Sequence, residues 1–158
     1  MDTFTTHIEW TGAAAGPTRD HVAFSRDLSL LTGANAIPMS SAPRFRGDAT
    51  RINPEQLFVG AVSACHALTF LFLAGRAGVA VTAYEDDAEG TLALADGRLR
   101  MTHVVLRPKI TLESAGDDGR ARELLAQAHR DCFIANSVSS RVEVLPAFVV
   151  PRSTEEAA

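Results

Sequence analysis

"NPEQLFVGAVSACHALTFLFLAG", residues 53–75, decides how the rest of the chain is read. It opens like a helix. Asn53 supplies a capping oxygen, Pro54 suits the first helical position, and Glu55 lies at the positive end of the helix dipole. Gln56, three residues after Asn53, completes a capping box. Gly75 and Gly78 mark the far end. Between them the stretch is apolar on nearly every side, which places a helix in a core or in a membrane. Its length is marginal for a bilayer, and Ser63, His66 and Thr69 sit near its middle, where an ionisable group is costly in lipid. The expectation is a buried central helix in a protein that does not use a membrane. That helix carries a thiol and an imidazole side by side, Cys65 and His66.

The rest of the composition fits such a core. The chain has 158 residues, 46% hydrophobic and 22% charged, as expected of one globular domain over residues 1–158. A formal charge of -4 argues against a nucleic-acid surface, which needs a basic face. Residues 153–158 read as a frayed polar tail. There are two cysteines, Cys65 and Cys132, too few for a disulfide-stapled secreted module. The opening "MDTFTTHIEW" lacks a basic region followed by an apolar run, so no signal peptide is read and a reducing cytoplasm is the expected compartment. There, two cysteines are a buried structural pair, a metal site or redox chemistry.

Outward from the helix, residues 4–11 read as a strand, 12–17 as a turn and 21–31 as one or two strands. Residues 32–52, rich in Gly, Pro, Ser and Asn, read as a long loop carrying Arg44, Arg46 and Arg51. After the helix come "VAVTAYEDDAEGTLAL" and "RLRMTHVVLRPKITLES", joined by a hairpin turn at "ADG", residues 95–97. A second helix is expected from Asp118 to about Asp131, with Leu124, Leu125 and Ala128 on its apolar face. "DCFIANSV" continues or breaks it, and 141–150 is a last strand. The order is α+β, with no repeated βαβ unit.

The thiolate is the reactive form of cysteine, and a free thiol titrates near ~8.5. Cys65 lies three turns into its helix, beyond the reach of the N-terminal dipole. A reactive Cys65 therefore needs a cation, from His66 or from an arginine of the 44–51 loop. The plainer reading of Cys65 is a small apolar core residue. His66 is most simply a satisfied core histidine, His103 a strand residue facing solvent or a neighbour, and Arg44 and Arg46 solvated loop residues. No CxxC or HxxxH spacing supports zinc, although His66, His103 and His129 are available. GxGxxG, GxxxxGK[ST] and GxSxG are all absent, so no nucleotide cofactor and no serine nucleophile is expected. Glu55 lies ten residues before Cys65, about 15 Å of rise along a straight helix. It cannot touch the Cys65 of its own chain. In an antiparallel pair of such helices it approaches the partner's.

"NPEQLFVGAVSACH" resembles the helix signature of the OsmC/Ohr thiol peroxidases, with the reactive cysteine ten residues after the glutamate. "AHRDCFIANSV" resembles the family's second-cysteine segment, and "RFRGD" its arginine-bearing loop. The likeness runs from about Trp10 to Pro146 and is nearest to an OsmC-like branch, not to Ohr proper. It implies antiparallel sheets wrapped around two long central helices in an intertwined homodimer, with active sites at the interface. It also implies reduction of organic hydroperoxides. Cys65 is then the peroxidatic thiolate, Cys132 the resolving thiol, and Glu55 the carboxylate that orients an arginine. Arg44, Arg46 and, by analogy with the Ohr type, Arg19 are the candidates for that arginine. An external thiol, a dihydrolipoyl protein or a low-molecular-weight thiol, recycles the enzyme without a bound cofactor. Two departures are visible: Phe133 follows Cys132 where many relatives have proline, and His66 follows Cys65. A dimer that binds an apolar ligand or senses redox state without turnover, and a thioester hydrolase, are the alternatives.

Overall fold

The computed structural model describes residues 1–150. They form two compact units, Met1–Phe58 and Val59 onward.

The first unit holds an antiparallel sheet of β1 (His7–Glu9), β2 (Leu28–Thr32) and β3 (Asn35–Met39), in the order β1-β2-β3. Residues 32–52 are therefore not one loop. Gly33, with φ 57°, turns the chain so that Leu28 faces Met39. Pro38 is tolerated because β3 is an edge strand, where its missing N–H breaks no ladder. The strand expected within 21–31 starts only at Leu28. Ahead of it the Asp20 carboxylate accepts the Val22 N–H at 2.8 Å, and the Arg26 guanidinium donates to the carbonyls of His21, Val22 and Phe24. These bonds hold a turn in place of a strand. "RFRGD" closes the unit as a short 3-10 helix at Pro43–Phe45 followed by Arg46 in the left-handed region, φ 67°. Gly47 is required next, since a Cβ there would overlap the Ser41 backbone. Arg51 then ties Asp27 (3.5 Å) to Asp48 (3.4 Å).

Helix α1 runs Pro54–Arg76. Both halves of its capping box form: the Gln56 N–H donates to Asn53 Oδ1 at 2.9 Å, and the Asn53 N–H to Gln56 Oε1 at 3.0 Å. It ends in a Schellman turn. Val79 N–H reaches the Ala74 carbonyl at 3.0 Å and Gly78 N–H the Gly75 carbonyl at 3.2 Å, with Gly78 at φ 72°. Gly78 thus stops the helix, while Gly75 lies inside it.

In the second unit, β4 (Val81–Asp86) pairs β7 (Pro108–Leu112), which pairs β9 (Ala147–Val149). A separate sheet orders β5 (Glu89–Ala95), β6 (Arg98–Leu106) and β8 (Arg141–Val144). Asp96 (φ 51°) and Gly97 (φ 75°) make the expected two-residue hairpin turn. The sheets are not wholly antiparallel, because β6–β8 and β7–β9 are parallel. Helix α2 (Asp118–Asp131) is the cause: it carries the chain back, so the last strands re-enter in the direction of β6 and β7. The segment 141–150, expected as one strand, breaks at Leu145-Pro146 and serves both sheets.

Ala121, Leu124, Leu125 and Ala128 of α2 pack with Phe70 and Ala74 of α1 and with Ile110 and Leu112 of β7. Helix α1 is not buried all round. Its covered stripe is Val62, His66, Phe70 and Ala74, one per turn, while Leu68 and Phe72 stay 67% and 62% exposed. One chain covers only one side of it.

Phe70→Ala is expected to cost about 3–5 kcal/mol in urea unfolding. Asn53→Ala, which removes half of the capping box, should cost about 1 kcal/mol in the same measurement.

Candidate functional site

Both cysteines lie in the second unit, and their thiols meet. Cys65 is half-buried on α1, at the border between the covered stripe and the open face. Cys132 is 0% exposed and is the residue at which α2 stops, turning extended at φ -66°, ψ 114°. The two reduced side chains are near enough for the Cys65 thiol to help raise that of Cys132.

The surroundings of Cys132 are built locally by "DCFIANSV", which breaks the helix. The Asn136 N–H donates to the Cys132 carbonyl at 3.0 Å, and the Asn136 side chain to the Arg130 carbonyl at 2.7 Å. The Ser137 hydroxyl donates to the Phe133 carbonyl at 2.7 Å. The Ile134 and Ala135 amides of this turn act on the Cys132 thiol, each favouring its charged form. Burial pushes the Cys132 thiol up; the Ala135 amide pulls it back, the Cys65 thiol raises it further, and the Ile134 amide opposes. Burial wins.

Beside the thiols lies an imidazole pair. His66, the residue after Cys65, faces His129, three residues before Cys132, with ring centroids 6.0 Å apart. His66 is fully buried, yet among the described residues neither of its ring nitrogens has a hydrogen-bond partner, and neither has Nδ1 of His129. The reading of His66 as a satisfied core histidine is thus half right. Burial first, and the facing His129 second, push its pKa down to about 4, with Asp86 partly opposing. Asp86 is itself held by the Ser63 hydroxyl and the Arg107 N–H. The neighbouring Tyr84 hydroxyl is buried without a partner, and burial with the Asp86 charge holds it firmly protonated. His103 bonds Glu143 at 3.1 Å across β6 and β8.

The remaining sequence candidates belong to the first unit. Arg19, Arg44 and Arg46 are exposed, with the Arg44 guanidinium 4.9 Å over the Phe45 ring. Glu55 is half-buried in the first turn of α1, and its Oε2 has no hydrogen-bond partner among the described residues. Among those residues no cluster of three or more His, Cys, Asp or Glu is arranged to hold a metal. The sequence reading missed Asp86, and it weighed Ser63 only as a hydrolase nucleophile, not as the hydroxyl that holds Asp86. It also weighed His129 only as a metal ligand, although its place one turn before Cys132 was the available signal.

The fold is shared with known proteins. A family profile described as OsmC-like protein matches residues 47–145, and the chain belongs to that family. An OsmC-like protein of unknown function from Vibrio cholerae is 28% identical, with a TM-score of 0.83 over 94% of this chain and 100% of its own. The organic hydroperoxide resistance protein OhrB of Bacillus subtilis shares the fold at 19% identity, with a TM-score of 0.59 over 92% of this chain and 98% of its own. The Bacillus subtilis protein YmaD is 24% identical over 122 residues, 75% of this chain and 81% of YmaD.

The buried imidazole makes stability depend on pH. The folded pKa of His66 lies below the ordinary 6.5, so folding favours the neutral ring. Its contribution is complete above pH 6.5 and is lost as pH falls towards about 4. At 1.36 kcal/mol per unit the loss is about 3 kcal/mol. Urea unfolding at pH 7 and pH 4.5 should show that slope in the wild type, and His66→Phe should flatten it.

Proposed function

We propose that the protein is a two-cysteine peroxidase that reduces organic hydroperoxides. The observation that carries this reading is the contact of a half-open thiol, Cys65, with a buried one, Cys132. In the first step the Cys65 thiolate attacks a peroxide oxygen. The O–O bond breaks, the alcohol leaves with a proton, and Cys65 becomes a sulfenic acid. Cys132 then attacks that sulfur, expelling water and closing the Cys65–Cys132 disulfide. The peroxide has taken two electrons and the thiols have lost two. An external thiol returns them, so no bound cofactor is needed.

The reading gives Glu55 and an arginine of the 44–46 turn the task of stabilising the Cys65 thiolate. The unpartnered Oε2 of Glu55 supports it, since a half-buried carboxylate calls for a cation or donor. Two unit charges at ~4 Å interact by about 4 kcal/mol at an effective dielectric of ~20, enough to matter for a thiolate. The reading also assigns the open apolar face of α1, with Leu68, Leu71 and Phe72, to a second copy of the chain. A homodimer buries what a single chain leaves in water. The cytoplasm, where thiol reductants are abundant, is the proposed compartment, with neither nucleic acid nor membrane as partner. Relatives named as organic hydroperoxide resistance proteins, from Legionella pneumophila and Elizabethkingia anophelis among them, support the substrate class.

One equivalent of cumene hydroperoxide should consume both thiols of the reduced protein within seconds. Cys65→Ser should be inert, and Cys132→Ser should accumulate a trappable sulfenic acid. Thiols that persist at the rate of free cysteine would refute the peroxidase and favour a ligand-binding or sensing dimer. Of Arg44→Ala and Arg46→Ala, the one that removes the thiolate's cation should slow the first step by up to about a thousandfold, the rate equivalent of the charge interaction above. Phe72→Asp should convert the sedimenting species from dimer to monomer.

A further inference from the structure

Between α2 and β8 lies a groove that the thiol chemistry leaves unused. Its volume is about 290 Å³, and Leu125, Val142, Val144 and Pro146 give it apolar walls. Arg122, Ala126 and Pro146 are exposed, so the groove opens to solvent. None of its lining residues belongs to α1, whose open face is assigned to a second copy of the chain. Its size is at the small end for ligand pockets, which run from about 300 to 1,000 Å³.

The charges at the groove are already answered. The Arg122 Nε–H donates to Asp118 Oδ2 at 2.9 Å, and its guanidinium lies 4.4 Å over the Phe148 ring. Glu143 is held by His103 at 3.1 Å and by Arg141 at 3.7 Å. A charged guest would have to break one of these pairs or lie on apolar walls without a partner. An uncharged guest meets neither cost. One polar group is left for it. His129 lines the groove and also faces the buried His66, with ring centroids 6.0 Å apart, so its imidazole separates the groove from the interior. Its Nδ1 is buried without a hydrogen-bond partner among the described residues. With no acceptor at Nδ1, the proton of the neutral ring is better held on Nε2, the nitrogen left to serve the groove.

We propose that this groove binds a small uncharged molecule, an apolar body bearing one hydroxyl, whose oxygen accepts a hydrogen bond from Nε2 of His129. An alkyl or aryl alcohol of about ten non-hydrogen atoms is the class that fits so small a site. Binding is non-covalent and uses neither thiol. Occupancy fixes which nitrogen of His129 carries the proton, which gives the complex a spectroscopic mark. The alcohol released when an organic hydroperoxide is reduced is one such molecule, and that link alone rests on the peroxidase reading.

The test titrates cumyl alcohol into the reduced full-length protein and follows the imidazole resonances of its five histidines by NMR. The expected result is a saturable shift at His129 with a Kd below ~1 mM, the affinity open to a ligand of about ten well-buried atoms. Cumate, a carboxylate of similar shape, should bind at least about tenfold more weakly, because its charge finds no free partner. Ala126→Phe, at an exposed helix position, should fill the groove and abolish the shift without lowering the urea midpoint. His129→Leu keeps an apolar wall but loses the hydrogen bond, and should weaken binding about five- to tenfold by saturation-transfer NMR. It adds no bulk, so it serves as the test should Ala126→Phe unfold. No saturable shift at about ten times the limiting Kd, a shift that survives a folded Ala126→Phe, unchanged affinity in His129→Leu, or cumate binding as tightly as the alcohol would each overturn the proposal. Cys65→Ser, inert towards peroxide, should bind the alcohol like the wild type. Loss of the peroxidase reading therefore leaves the groove standing, and failure of alcohol binding leaves the peroxidase untouched.

Discussion

The contact between Cys65 and Cys132 is a meeting of two helices. It depends on the packing that holds α1 to α2. Phe70 and Ala74 lie one and two turns beyond His66 on the covered stripe of α1 and share a core with Ala121, Leu124, Leu125 and Ala128. Ile110 and Leu112 of β7 join the same core. The thiols therefore inherit their spacing from an apolar seam, not from polar bonds of their own.

Much of the scaffold was legible because it is written in local chemistry. The Asn53–Gln56 box, the Asp96-Gly97 turn and the span of α2 all follow from short-range rules. What escaped was set at long range. Asn35–Met39 looks like loop sequence, and Pro38 argues against a strand unless the strand lies at an edge, which only the finished sheet reveals. Parallel pairing of β8 and β9 depends on the direction in which α2 returns the chain. The periodicity of α1 hid its one covered stripe, because the open face is as apolar as the covered one.

The site was legible in the same uneven way. Both cysteines stood out in the sequence, and their proximity came from the fold. The imidazole pair did not stand out, since His66 and His129 are 63 positions apart in the sequence and meet only because their neighbouring cysteines do. Burial holds the His66 ring neutral, and its nitrogens and the Tyr84 hydroxyl have no hydrogen-bond partner among the described residues.

Strands β8 and β9 supply an outer strand to each of two sheets from the nine residues 141–149. During synthesis this segment leaves the ribosome after everything it pairs with. Until it arrives, β6 and β7 each present an open edge, the surface most prone to recruit a foreign strand. Lys109, exposed on β7 and pointing its amine at Glu85 across 3.7 Å, is the kind of charge that discourages such pairing. Translation speed ahead of Arg141 then becomes a determinant of yield, because a pause there would prolong the life of two unguarded edges at once.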